Sequence, residues 1–467
     1  MATKKAAKKT PAKKVSAKGT SASSKTSKKT APKVTTRKEP AKKLTKRQAE
    51  KARAERQSGK GGASDARSWA DQIAKNPKFK GLAQVVSASE LNTPYYLRRP
   101  TGILGVDIAL GGGFHAGGSA QIHGAESVGK THLAYRTAGM LQRNYGDSSA
   151  VLIVSTEIRP DKTFARKAGF RFPYSIEEVQ HFNEKRLERG FPEFTLEEKV
   201  DLTKKVGEIY VVTAGTGEKA LDVAYDALVG GYFQLVIIES LGALLSSDQE
   251  AGDVGDRTYG GSSVMLTNFM NKVYPLFMMD RISGEGKETT RSMLETTILG
   301  INQARAEMGA VGHQKKTHAA ANSFAWRHAQ LASIELNKGK PFKEGNESLG
   351  REVRWEITKG KAGTHDGKKG TYNYWHVPKD DPILWSDVEL HSSTYGIDGI
   401  TDMVETAKSI GVFDVSGSWL TWKEGSSILI RAQSAEKFGE VLVDDDELQV
   451  RLRKQCYEIA GLPVKFA

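Results

Sequence analysis

Gly124-Ala-Glu-Ser-Val-Gly-Lys-Thr131 decides the fold of this chain. It is a complete G-x-x-x-x-G-K-[ST] phosphate loop, and its flanks have the texture such a loop needs. Ser119 to His123 alternates apolar and polar residues as a strand does, and Leu133 to Leu141 continues with helical spacing. A triphosphate needs backbone N–H groups aimed inward. Gly124 and Gly129 let the chain wrap closely enough to supply them, with Ala125, Glu126, Ser127 and Val128 between. Lys130 then offsets charge on the β and γ phosphates, the Thr131 hydroxyl suits Mg²⁺, and His132 completes the set. The stretch predicts nucleotide binding on a strand–loop–helix unit.

Outward from the loop, short apolar runs alternate with helical patterns from about Leu97 to Leu384. That texture predicts an α/β fold with a mainly parallel twisted sheet flanked by helices. The clearest strands are Ala150–Val154, Ile209–Val212, Leu235–Ile238 and Thr297–Ile301. Ligands of such sheets lie beyond the C-terminal strand ends, so the residues there count most. One strand ends in Glu239-Ser240, and a carboxylate there can hold the Mg²⁺ shell. Another ends in Ser155-Thr156-Glu157, where an acid can orient and deprotonate an attacking water. A third ends in Asn302-Gln303, whose neutral amide can sense a γ phosphate. Two glycine-rich polar segments, 251–261 directly after the Glu239 strand and 304–322, read as loops without regular structure. Asp280 to Arg291 reads as a further loop, and 172–206 as a charged helical insertion.

Charge is unevenly placed along the 467 residues. Residues 1–60 carry 21 Lys/Arg against 3 Asp/Glu, a net of +18 in a chain whose formal charge is +14. Built from Lys, Ala, Thr, Ser and Pro, this tail cannot bury enough surface to fold, and it reads as a disordered phosphate-binding arm. Residues 61–95 read as an N-terminal helical, oligomerising segment, 96–384 as the core, and 385–467 as a small α+β C-terminal domain with an aromatic turn at Trp419 and Trp422. Cys456 is alone, which excludes a disulfide framework and a thiolate zinc site. No run approaches the length of a membrane span and no secretory segment appears, so an intracellular, cytoplasmic protein without a membrane partner is expected.

The ordered set Thr101-Gly102, Val106-Asp-Ile-Ala-Leu110, the phosphate loop, Glu157, Asp161, Phe164-Ala-Arg-Lys-Ala-Gly169, Glu239-Ser240, Gly255-Asp256, Ile301-Asn-Gln-Ala-Arg305 and Lys359-Gly-Lys361 resembles RecA-type homologous-recombination ATPases of bacteria and bacteriophages. The likeness covers about residues 95–375, with a weaker match from Tyr395 to about Val443. It implies a DNA-dependent ATPase, with ATP and Mg²⁺ as cofactors, that forms helical filaments on single-stranded DNA and exchanges it into duplex DNA, with single-strand-binding or mediator proteins as further partners. Glu157 would be the catalytic base, with Lys130 and Gln303 at the γ phosphate. Asp161 would meet the adenine amino group, and Phe164 would stack on the base. Thr131 and Glu239 would serve the metal. Gly255, Asp256, Arg257, Tyr259, Arg305, Met308, Gly309 and Asn322 would hold DNA. Lys359 and Lys361 would reach a neighbouring subunit's ATP site.

Ala320-Ala321 and Val264 depart from the family pattern, as does the basic arm, and Asp444 to Glu447 is followed by Arg451-Leu-Arg-Lys454 where many bacterial members end in an acidic tail. These departures imply a somewhat different set of DNA contacts; they favour a phage member over a housekeeping bacterial one and leave both open. Two other readings share the same residues: a hexameric DNA helicase or repair ATPase of the same fold, and a DNA-packaging protein that uses the arm. Without the resemblance, Phe164 reads equally as a core aromatic, Met308 as a residue that simply packs, and Lys359 and Lys361 by default as a solvated strand face.

Overall fold

The computed structural model describes residues 63–77, 97–156, 159–188, 190–252, 261–278, 281–283, 290–292, 294–306, 317–319, 324–375, 396–443 and 445–463. Ala63–Lys75 forms a helix. The principal sheet is built from β1 (Gly118–Gly124), β2 (Ala150–Ser155), β3 (Glu208–Val212), β4 (Leu235–Glu239), β5 (Thr297–Ala306), β6 (Thr317–Ala319), β7 (Gln330–Glu344), β8 (Glu347–Gly360), β9 (Lys369–Trp375) and β10 (Gly396–Ile397). Their order is β10-β9-β8-β7-β1-β5-β4-β2-β3, with β6 alongside β5. From β7 to β3 all neighbours are parallel, and β8, β9 and β10 extend the sheet antiparallel.

Parallel strands covered on both faces read as unbroken apolar runs, which is why Val151 to Val154 and Leu235 to Ile238 are buried throughout. Strand periodicity deals these residues onto two faces. Ile153 and Ile237 join Ile122, Leu133, Leu299 and Ile334 on one side. Leu152, Val154, Val236 and Ile238 join Phe269, Met270 and Trp326 on the other. Parallel neighbours need crossovers, and helices Lys130–Tyr145, Gly217–Gly230 and Gly261–Met278 lie between the strands they connect. Among the described residues no helix is long and apolar enough to cross a membrane.

Two expected loops carry strand pairs that their composition did not imply. The strand expected over Thr297–Ile301 runs on to Ala306, where Ala304, Arg305 and Ala306 pair with Ala319, His318 and Thr317. The ends of the segment carry no glycine or proline; Gly309 and Gly312 fall between them, so the ends are free to satisfy each other's backbone groups. Within Asp280–Arg291, Arg281–Ser283 likewise pairs with Thr290–Ser292, with Gly284 and Gly286 between. Segment 251–261 does not follow β4 directly. Ser246 and Gln249 form a capping box that starts helix Ser247–Ala251.

The insertion folds as helices Ile176–Glu188 and Leu196–Thr203 over a small core of Tyr174, Val179, Phe194 and Leu202. At the C-terminal end, helices Gly399–Ser409, Ala435–Val443 and Asp446–Ile459 and three antiparallel strands over Phe413–Ala432 enclose Met403, Phe413, Trp422, Phe438 and Tyr457. The expected boundary at residue 385 lies outside the described residues.

Candidate nucleotide site

Parallel register brings the chemistry to one edge of the sheet. Gly124 of β1 lies beside Gln303 of β5, and Ser155 of β2 beside Glu239 of β4. At Gly124 the backbone takes a φ of +151°, and a Cβ there would overlap the Leu336 carbonyl oxygen, so only glycine lets the loop leave β1. Gly129, at φ +92°, is the N-cap of helix Lys130–Tyr145 and brings no capping side chain, which leaves the first-turn N–H groups aimed into the loop. Val128 is buried in the core and anchors the loop, while Glu126 and Ser127 are exposed at its crest. The Lys130 ammonium donates to the carbonyls of Gly124 (3.2 Å) and Ala125 (2.6 Å), folded along the path a phosphate would take.

One turn into the helix, the Thr131 hydroxyl donates to Glu239 Oε1, and the Tyr135 hydroxyl donates to Oε2 at 3.2 Å. Burial, helped by the Glu239 charge, pushes the Tyr135 phenol well above its ordinary pKa, so it stays a donor. A hydroxyl and a carboxylate in contact are an all-oxygen donor pair of the kind Mg²⁺ takes when phosphates and water fill its other positions. Thr131 and Glu239 therefore fit the metal.

The end of β2 is tied to the end of β4. Thr156 N donates to the Glu239 carbonyl at 2.7 Å, and its hydroxyl lies 3.1 and 3.0 Å from the carbonyls of Glu239 and Ser240 while accepting from Ser240 N at 3.0 Å. Glu157, the next residue, lies outside the described residues. On β5 the buried Asn302 side chain accepts from Gln303 N at 3.0 Å.

Asp161 caps helix Lys162–Lys167, its carboxylate accepting from Phe164 N at 3.0 Å. Phe164 is half-buried, with its ring centroid 5.6 Å from His132 and 6.1 Å from Tyr135. The His132 side chain is fully buried between Phe164 and Tyr374, whose centroid is 5.1 Å away, so the ring sits in an aromatic cluster. Burial first, then Arg136 and Lys167, hold its pKa down to about 3, so the ring is neutral. Tyr374, which would lie 3.4 Å from a Cβ on Gly129, was not singled out from sequence. Neither were Tyr135 and Thr156. The only signal for Tyr374 is the Tyr372-x-Tyr374 alternation on β9.

Lys359 and Lys361 point to one place. Lys359 Nζ donates to the Arg327 carbonyl and lies 3.5 Å from that of His328, and Lys361 Nζ donates to the His328 carbonyl at 3.1 Å. These are the last carbonyls of helix Phe324–Ala329, where cations complement the helix dipole. Burial, then Lys361 and Arg327, bring Lys359 down to about 8. Arg305 is described only as a backbone position on β5. Gly255, Asp256, Arg257, Tyr259, Met308, Gly309 and Asn322 lie outside the described residues.

The family model for the RecA N-terminal domain matches residues 197–366. Protein RecA of one Thermus thermophilus strain is 25% identical over 366 residues, which is 78% of this chain and 85% of that protein. Protein RecA of Thermus aquaticus is 25% identical over 362 residues (77% and 85%), and that of Aquifex pyrophilus 23% over 364 (78% and 83%). With a mainly parallel sheet whose phosphate loop, Glu239 and Gln303 share one edge, the chain is RecA-like in sequence and in fold.

Proposed function

We propose that the chain is a DNA-dependent ATPase that polymerises on single-stranded DNA and exchanges it into a homologous duplex. The observation that carries this reading is the register that sets Gln303 beside Gly124, on a strand that runs on into segment 304–322. A γ phosphate held by the loop would meet the Gln303 amide, and β5 would pass its presence to the DNA-holding segment. Lys130 leaves its loop carbonyls for the β and γ phosphates, and Thr131 with Glu239 holds the metal. When bound, Mg²⁺ neutralises charge across those phosphates. Glu157, the residue after Thr156, takes the proton of the attacking water. Lys359 and Lys361 exchange main-chain carbonyls for phosphate oxygens of a neighbour.

Negative-stain microscopy with single-stranded DNA and a non-hydrolysable ATP analogue tests this. Helical filaments are expected. Discrete rings would replace the reading by a helicase, and amorphous condensates by a packaging protein.

A further inference from the structure

Helix Lys162–Lys167 has six residues, too few to hold its shape alone in water. Yet Asp161 at its cap and Phe164 on its first turn are the residues read above as adenine contacts. What steadies it comes from two sides. Ala165 is buried in the core and Phe164 packs against His132 and Tyr135. The remaining face is gripped by the insertion. Glu178 accepts from Lys162 Nζ at 2.7 Å, and the Tyr174 hydroxyl lies 3.0 Å from that of Thr163. The Arg166 guanidinium lies 5.3 Å over the Tyr174 ring and donates to the Phe172 carbonyl and to Asp201, each at 3.0 Å. Asp201 also takes Arg171 at 3.0 Å, and Tyr174 N donates to the Leu202 carbonyl at 2.9 Å. Tyr174 is itself fixed in the insertion's core beside Val179, Phe194 and Leu202.

From this we infer that the insertion is a brace for base recognition, with Tyr174 and Asp201 as positioning residues that hold Asp161 and Phe164 in register with the purine. The inference rests on the base-contact reading of those two residues. It assigns the insertion a role in choosing the nucleotide and none in holding its phosphates, because its side chains reach helix 162–167 and its flanks. Where it meets the helix after the phosphate loop it does so well beyond the loop, at Gln142, which donates to the Val206 carbonyl at 2.9 Å.

The test compares binding of MgATP, MgGTP and inorganic tripolyphosphate to the full chain and to Asp201→Asn, Tyr174→Phe and Phe164→Ala. Tyr174→Phe removes only a hydroxyl and keeps the insertion's core, so it serves if Asp201→Asn fails to fold. Expected for either brace variant is ATP binding weaker by about tenfold, which is about 1.4 kcal/mol, with preference for ATP over GTP reduced and tripolyphosphate within about twofold of the parent. Equal weakening of ATP and tripolyphosphate, or no change in either, overturns the brace when Phe164→Ala weakens ATP alone. If Phe164→Ala leaves ATP binding unchanged, the base-contact reading itself falls and the brace with it.

Discussion

Glu239→Gln separates the metal from the fold. The carboxylate accepts from the hydroxyls of Thr131 and Tyr135, and glutamine keeps the length of the side chain and one carbonyl oxygen. Its amide nitrogen can donate to Tyr135 where the second oxygen accepted. Two charge-assisted hydrogen bonds become neutral ones, which costs about 1 kcal/mol each, offset by the cost of burying a charge that is no longer present. Stability should therefore stay within about 1–2 kcal/mol of the parent. The charge is what the cation needs, and removing even an outer-shell carboxylate weakens metal affinity by about 10–100-fold, so at least that loss is expected here. Binding of a fluorescent ATP analogue, titrated with Mg²⁺ and repeated in chelator, reads both terms. The Mg²⁺ midpoint should rise by at least that factor while metal-free affinity holds. A midpoint within twofold of the parent, or metal-free binding that falls equally, would refute the assignment of Glu239 to the metal.

Other outcomes follow from the same geometry. Glu157→Gln should keep nucleotide binding and slow turnover by about 10²–10⁴, measured as phosphate release; a parental rate would remove Glu157 from the chemistry. Lys359→Ala/Lys361→Ala should leave nucleotide binding to the isolated subunit intact and abolish most DNA-stimulated turnover, and mixing it with Glu157→Gln should restore part of it; no recovery would mean that the lysines act within their own subunit or are only a solvated strand face. Deleting residues 1–60 should flatten the salt dependence of single-stranded DNA binding by about 0.7 in log–log slope per lost phosphate contact, and an unchanged slope would show that the arm does not touch DNA. Burial raises the Asp107 carboxyl to about 6 and Asp402 to about 7, so both bind protons more tightly folded than unfolded. Their stabilising contribution is complete below the ordinary value of 3.8 and is lost progressively as pH rises from there to about 6 for Asp107 and about 7 for Asp402, so urea midpoints should fall from pH 3.8 up to about 7 and Asp402→Asn should flatten the fall.

The strand–loop–helix around Gly124 to Thr131 was legible because each part carries its own local signal: alternation, two glycines with a lysine, then helical spacing. Glu239 and Gln303 were legible as ends of apolar runs, since a parallel sheet gathers strand ends at one edge. Tyr374 was not, because it reaches Gly129 only through the order of the sheet, which places β9 three strands from β1. The pairing of Ala304–Ala306 with Thr317–Ala319 escaped for a related reason: short polar ends carry no periodicity, and only their mutual hydrogen bonds make them strands.

That pairing changes how segment 304–322 connects to the nucleotide. Its start is a direct continuation of β5, so Gln303 and Arg305 belong to one rigid strand anchored beside β1. Beyond the segment, helix Phe324–Ala329 ends on carbonyls that take the amines of Lys359 and Lys361. The two candidate contacts to a γ phosphate, Gln303 within the subunit and the lysines toward a neighbour, thus grip opposite sides of the candidate DNA-holding segment. A phosphate that drew the lysines away would leave the last turn of that helix without its cationic caps, at a cost of about 0.3–1 kcal/mol for each. That is small beside a phosphate contact but large enough to bias a short helix of six residues. Nucleotide state would then reach the segment from both sides, through a strand that resists bending at one and a helix end that loosens at the other.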